Sequence, residues 1–393
     1  MVYFKILRLK LLFFISFTSI TVLNHAETAN YNTQWLKNYN SNIYNECKNN
    51  YEHPSIKNLV ITKKNICDTF NKNMLLLRDI QKKYHKDGYF FHALIDKDIS
   101  YQEVVSFLAL LNVSYGEVFP INDIVNSIRW SFNNLRQTSG GFQQKGIVNG
   151  SVRTSLYIFS IVNACLIDAR IMPICEEFSD DILKSAKWVS DFQTPWAGNH
   201  DLAALLMFYQ LFELTKNIEI LKMFKLKRKK IFDGFINIDD KYGYWPEAPK
   251  NWKNRMLTGY LQIQLIFGGH YLVLNPTDVE FKNLYIKQLK LFTKYADMSK
   301  LKLNVEDSYN YKENESNKWI ALVTPALIYY TCLHTSIYCD YKDNIKHRNF
   351  YFENMRSNFK YDDDVTLFSD SYLRFGVIVQ LENLTIARSN NNN

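Results

Sequence analysis

Asn199 and His200 are the residues best placed to do chemistry. They stand within residues 196–209, WAGNHDLAALLMFY, where a Trp/Gly turn gives way to an apolar run with helical spacing. Asn or Asp just ahead of such a run marks a helix start, so Asn199 or Asp201 is expected to cap the helix. Asn199 and His200 then sit at its exposed mouth. A helix N-terminus carries partial positive charge and free N–H groups, so the mouth favours an anionic ligand.

A second group lies in residues 242–260, YGYWPEAPKNWKNRMLTGY. Gly243 and Pro246 put Trp245 and Glu247 on a loop. Lys253 and Arg255 follow, and Tyr260 falls five residues into the next apolar run. Gln143, Gln144, Asn149 and Arg153 lie at another helix start and carry groups that bind hydroxyls or carboxylates. Trp196 and Trp245 offer amphipathic ring faces of the kind that stack on sugars. Residues 222–230, KMFKLKRKK, hold six cations in nine positions. That run reads as a solvated helix face or as a landing strip for a polyanion.

The elements that must position these residues are helical. Apolar residues recur at helical spacing over 65–83, 100–113, 121–135, 149–169, 180–192, 199–214, 219–235, 255–273, 277–295 and 317–335. Gly268-Gly269 is expected to weaken the last turn of the 255–273 helix, and Pro325 to kink the last helix. Strand-like alternation occurs only at 374–381. Short links make successive helices antiparallel neighbours. A single body of this size outgrows a simple bundle, which points to a closed or open α/α toroid, all-α, in one domain.

Length and composition set the class. The 393 residues are 47% hydrophobic and 22% charged, enough for a real core. Residues 1–26 have the pattern of an export signal: Lys5, Arg8 and Lys10, then an apolar run too short for a membrane span, then a small residue. The expected layout is a signal at 1–26, an irregular polar arm at 27–60, a helical domain at 61–387 and a disordered Asn-rich tail at 388–393. The formal charge of +8 includes those three signal cations and no signal acids, leaving a modest +5 on the mature chain. An exported monomer, periplasmic or secreted, with no membrane span after cleavage and no nucleic-acid partner, follows from this reading. The six cysteines include close pairs spaced for local disulfides, with connectivity left open. No CxxC or HxxxH spacing points to a metal, so no cofactor is expected.

Taken in order, the segments resemble the alginate lyase family of periplasmic α/α-toroid polysaccharide lyases. Asn199-His200 resembles the family's Asn-His motif, and Gly243-Tyr244-Trp245-Pro246 its glycine-to-proline turn. Asn254-Arg255-Met256-Leu257 with Tyr260 resembles its Arg-to-Tyr segment. Trp319-Ile320-Ala321-Leu322 with Pro325-Ala326-Leu327 resembles a Trp/Pro helix near its C-terminus. The resemblance covers roughly residues 180–335. It implies an incomplete α/α toroid and β-elimination on an acidic, uronate-containing polysaccharide. Asn199 with Arg255 or Lys253 neutralises the sugar carboxylate, His200 takes the proton on one epimer, and Tyr260 protonates the leaving oxygen and serves as base on the other epimer. Trp196, Trp245, Lys253, Gln143 and Arg153 bind substrate.

Three departures stand out. Gly198 replaces a second Asn, Thr258-Gly259 replace His-Asn before the tyrosine, and Asp201 brings a negative charge that needs a cation beside it. Two further readings stand beside this one, the first supported by these departures. One is a degenerate polysaccharide-binding or exopolysaccharide-assembly protein on the same scaffold. The other is a toroidal glycoside hydrolase using Glu247 with Asp201 or Glu306.

Overall fold

The computed structural model describes residues 105, 106, 108, 109, 112, 120–142, 150–192, 198–246, 258–297, 302, 303, 328, 331, 335 and 337, with side chains at 258–260, 297, 302 and 303 excepted. All of them belong to one compact unit, Asn40–Asn393. The expected signal, polar arm, first helix, C-terminal strand and tail lie outside the described residues.

Eight helices carry this region: α1 (Ile121–Asn134), α2 (Ser151–Ile167), α3 (Met172–Glu177), α4 (Ser179–Asp191), α5 (Gly198–Thr215), α6 (Ile218–Asp233), α7 (Thr258–Leu274) and α8 (Val279–Tyr295). Seven of them coincide closely with segments marked by apolar spacing. The six-residue α3 is too short to show periodicity, although Pro173 in its first turn is a start signal. Two hairpins of two-residue strands were also not expected. β1 (Ile236–Asn237) pairs antiparallel with β2 (Gly243–Tyr244), and β3 (Ala296–Asp297) with β4 (Lys302–Leu303).

Side-chain chemistry sets the helix ends. Asn217 caps α6 by accepting the Glu219 N–H, and Asp278 caps α8 by accepting the Phe281 N–H. α5 starts one residue earlier than expected, at Gly198. Asn199 and Asp201 therefore lie within its first turn.

The helices form two rows. α2, α5 and α7 pack side by side, while α4, α6 and α8 back them as α2–α4, α5–α6 and α7–α8 pairs. The front row is parallel. Near one end His200 of α5 meets Ser151 of α2, and near the other Gln210 donates to Asn163 at 2.7 Å. Likewise Gly198 meets Gln264 of α7, while Tyr209 packs edge-on against Tyr271. The backing helices run the opposite way: Gln288 of α8 bonds Leu261 and Gln264 of α7, and Phe281 meets Tyr271.

α5 is covered on every side, and Leu202 through Phe208 are all buried. Its uniform apolarity is that of a helix without a solvent face. The Gly268-Gly269 pair does not end α7 early. A Cβ on Gly269 would stand 2.3 Å from Thr331 Oγ1. The missing side chain admits a neighbouring chain segment, and α7 continues to Leu274.

Towards the other end of α7, an ionic cluster joins three helices. Arg228 of α6 grips Asp278 bidentately, at 2.7 and 2.9 Å, and also reaches Glu280 at 2.8 Å. The Tyr271 hydroxyl donates to Asp278 at 2.7 Å. Burial and this bond push the phenol well above its ordinary range.

Cys165 in α2 is bonded to Cys175 in α3, ten residues along the chain. A loop of this length is worth about 3 kcal/mol in the chain-entropy account. Cys165→Ser with Cys175→Ser is therefore expected to lower unfolding stability by about that amount. Chemical denaturation of the two forms, compared at equal slope, measures it.

Candidate active site at three helix starts

The parallel front row gathers the first turns of α2, α5 and α7 at one end. Three helix N-termini side by side make that end a place for negative charge. His200 stands between two of them. Its Nδ1 lies 3.3 Å from Ser151 Oγ at the start of α2, and its ring passes close to Gly150. Ser155 donates in turn to the Ser151 carbonyl at 2.6 Å. This contact sets the direction of the ring, and the Ser151 hydroxyl can pair with either tautomer by accepting or donating. With Nδ1–H donating to Ser151 Oγ, Nε2 keeps its lone pair and can accept a proton.

Burial is the main cause that pushes the His200 pKa down to about 4. Asp201 opposes the shift, while Lys230 and Lys227 reinforce it. His200 is therefore neutral at physiological pH and in the protonation state a base requires. Asn199 is buried, at 5% exposure, and its Oδ1 has no hydrogen-bond partner. The expected exposed mouth is thus corrected: Asn199 is enclosed and His200 half-buried, because α5 is hemmed in by α2, α6 and α7.

Asp201 has the cations it needs. Lys227 reaches its carboxylate at 3.2 Å and Lys230 at 3.0 Å. Both lysines come from the run at 222–230, brought there by the antiparallel packing of α6 on α5. Of the other four cations in that run, Lys222 pairs with Glu219 on the surface and Arg228 joins the cluster above. An Asp with two lysines carries a net positive charge, so it does not repel an anion. Its engagement with both lysines also makes Asp201 a poor candidate for the proton-shuttling carboxylate of a hydrolase.

Arg153 lies in the first turn of α2, half-buried, and burial lowers its pKa although Tyr157 opposes this. Trp245 is not a cleft wall. It is 3% exposed, its ring stacks on Phe281 and meets Phe235 edge-on, and its indole N–H donates to the Ile231 carbonyl at 3.0 Å. At that burial the ring is not open to a sugar. The backbone puts Tyr260 in the first turn of α7, one turn before Gln264, whose amide lies against Gly198 at the start of α5. Arg255, Lys253, Trp196 and Gln143 lie outside the described residues, as do Glu247 and Glu306. Among the described residues no helix is long and apolar enough to cross a membrane.

No protein-family model and no curated protein matches this sequence. Solved structures do match, at identities that bear on the fold alone. A sugar epimerase from a ruminal bacterium aligns at TM-score 0.55 and 11% identity, over 80% of this chain and 97% of its own. A D-mannose isomerase aligns at 0.53 and 15%, over 85% and 100%. A family 76 glycoside hydrolase from a bovine Bacteroides thetaiotaomicron strain aligns at 0.50 and 9%, over 82% and 78%. The chain shares a mostly helical fold with these enzymes.

The site predicts a pH effect on stability. His200 and His270 are both pushed to about 4 by burial, whereas an unfolded histidine titrates near 6.5. Between those values the unfolded chain binds more protons than the folded one. Stability is therefore full above about pH 6.5 and falls as the pH drops towards 4, by on the order of 2 kcal/mol per histidine. Denaturation midpoints at pH 7.5, 5.5 and 4.5 measure the slope, and His200→Gln should flatten part of it.

Proposed function

We propose that this protein is a carbohydrate-active enzyme that removes a proton from a sugar carbon beside a carboxylate. In this reading it cleaves an acidic, uronate-containing polysaccharide by β-elimination. The observation that carries the proposal is a neutral, half-buried imidazole at a point where three helix N-termini and a net-positive Asp201–Lys227–Lys230 group favour an anion. The proton next to a carboxylate leaves only if the developing dianion is stabilised. Helix N-termini and Asn199 supply that stabilisation, with Arg255 or Lys253 added. His200 takes the proton, and Tyr260 delivers one to the leaving oxygen. Trp196, Gln143 and Arg153 hold neighbouring sugars.

The two rows of helices are read as an arc of an incomplete α/α toroid. Parallel inner helices, each backed by an antiparallel outer one, support this, as does the likeness to three sugar-processing enzymes. An exported location, periplasmic or secreted, is part of the proposal, and the Cys165–Cys175 disulfide supports an oxidising compartment.

A second reading is favoured by coverage. The epimerase and the isomerase are spanned almost end to end. Epimerisation and isomerisation of a reducing sugar also need a base on a carbon next to a carbonyl. The same His200 serves either reaction. One experiment separates them. The protein is incubated in D2O with polyuronates and, separately, with free aldoses. Elimination creates a conjugated double bond that absorbs in the ultraviolet. Epimerisation creates none and leaves deuterium on the carbon beside the carbonyl. Reducing ends without absorbance identify a hydrolase, and no change in any sample leaves a binding or assembly protein.

A further inference from the structure

Gln264 lies on the second turn of α7 and is 1% exposed. Its Oε1 accepts from Gln288 Nε2 at 2.9 Å. Gln288 also donates to the Leu261 carbonyl at 3.2 Å and accepts the Trp245 N–H at 3.2 Å. This chain of bonds runs from the end of β2 through α8 to α7 and fixes which way the Gln264 amide faces. Its NH2 is turned towards the first residue of α5. A Cβ built on Gly198 would stand 2.0 Å from Gln264 Nε2, so that nitrogen fills the space a side chain at 198 would take.

Gln264 Nε2 is buried with no hydrogen-bond partner, and so is Asn199 Oδ1 on the residue after Gly198. Folded proteins satisfy nearly all buried polar atoms, and exceptions cluster where a water, ion or ligand completes the set. Here the exceptions are one donor, packed against Gly198, and one acceptor on the residue that follows it in α5. The group that completes both at once donates one hydrogen bond and accepts another. A hydroxyl does this. A carboxylate only accepts, so it meets Gln264 Nε2 and is opposed by Asn199 Oδ1.

We propose that Gln264 Nε2 and Asn199 Oδ1 together receive one sugar hydroxyl next to the carbon on which His200 acts, and that this pair selects for that hydroxyl. The hydroxyl donates to Asn199 Oδ1 and accepts from Gln264 Nε2. The Asn199 amide then has its NH2 end left for the carboxylate. Gln288 is the positioning residue that keeps the Gln264 donor turned to the site. The inference rests on the reading of this site as a sugar site and deepens it by naming a specificity contact.

The test compares wild type with Gln264→Met for binding of mannuronate and guluronate tetramers by calorimetry, alongside tetramers with single hydroxyls replaced by hydrogen. Wild type should bind at least one tetramer and lose about 30-fold for one of its deoxy forms. Gln264→Met should lose a similar factor with the intact tetramer and nothing further with that deoxy form. Its melting midpoint should stay level or rise. The substitution removes an unmet donor, and Gln288 Nε2 keeps its bond to Leu261. Should Gln264→Met not fold, Gln264→Glu carries the same binding expectation, since it keeps an acceptor for Gln288 and loses the donor. Equal binding by wild type and variant, or a lower midpoint with unchanged affinity, overturns this inference alone. A wild type that binds none of the tetramers overturns it together with the sugar-site reading.

Discussion

Replacing His200 by alanine is expected to lower turnover by about 10²- to 10⁴-fold, the usual contribution of a positioned general base. Substrate affinity should change only a few-fold, because the charges that attract an anion come from the helix starts and the α6 lysines. The pH profile gives a sharper check. A base must be unprotonated, so activity falls as the pH drops through its pKa. With His200 held at about 4, chiefly by burial, the acidic limb should lie well below the 6.5 of a free imidazole. Lys227→Met with Lys230→Met removes two cations that oppose protonation and leaves Asp201 uncompensated beside the ring. The limb should then move up towards neutrality. If His200→Ala keeps full activity, the imidazole is not the base. If the limb stays put in the lysine variant, the charge arrangement around it has been misread.

Asp278→Ala is expected to cost about 3 kcal/mol of stability, since removing one partner of a mostly buried pair strands the other charge. Asp278 holds Arg228 at two points, accepts from the Tyr271 hydroxyl and caps α8 through the Phe281 N–H. Its loss therefore strips three helices of a shared anchor. Tyr271 lies seven residues along α7 from Gln264, about 10 Å of helix rise. Specific activity per folded molecule should accordingly be unchanged. Denaturant unfolding and an activity assay on the same preparation give the two values. A drop in activity without a drop in stability would place this cluster in the working part of the protein.

The helices were legible because their signal is local. Residues 121–135 and 149–169 carry apolar spacing that needs no partner to be read, and α1 and α2 follow it within two residues at either end. Side-chain destinations were not legible. Trp245 sits between Gly243 and Pro246, which by themselves describe an exposed loop. It is buried because Phe281, thirty-six residues later, arrives on α8 to cover it. The lysines at 227 and 230 look like part of a solvated stripe, and only the antiparallel packing of α6 on α5 gives them Asp201. Ser151 had a faint signal, as the residue after Gly150 at a helix start. Gln264 and Gln288 had none, since each reads as a polar position in a helix until the other is beside it.

The lengths of the links between helices follow from the parallel front row. Segments leaving α5 and α7 are tight, Lys216-Asn217 and the four residues 275–278. Segments entering the front helices are longer: fifteen or more residues before α2, six before α5 and twenty-four between α6 and α7. One rim is thus clamped by turns that tolerate no insertion. Outside the buried stretch 243–245, the longer links of the opposite rim leave room for change without disturbing helix register. Change confined to that edge would alter what surrounds the helix starts while both rows of helices keep their places.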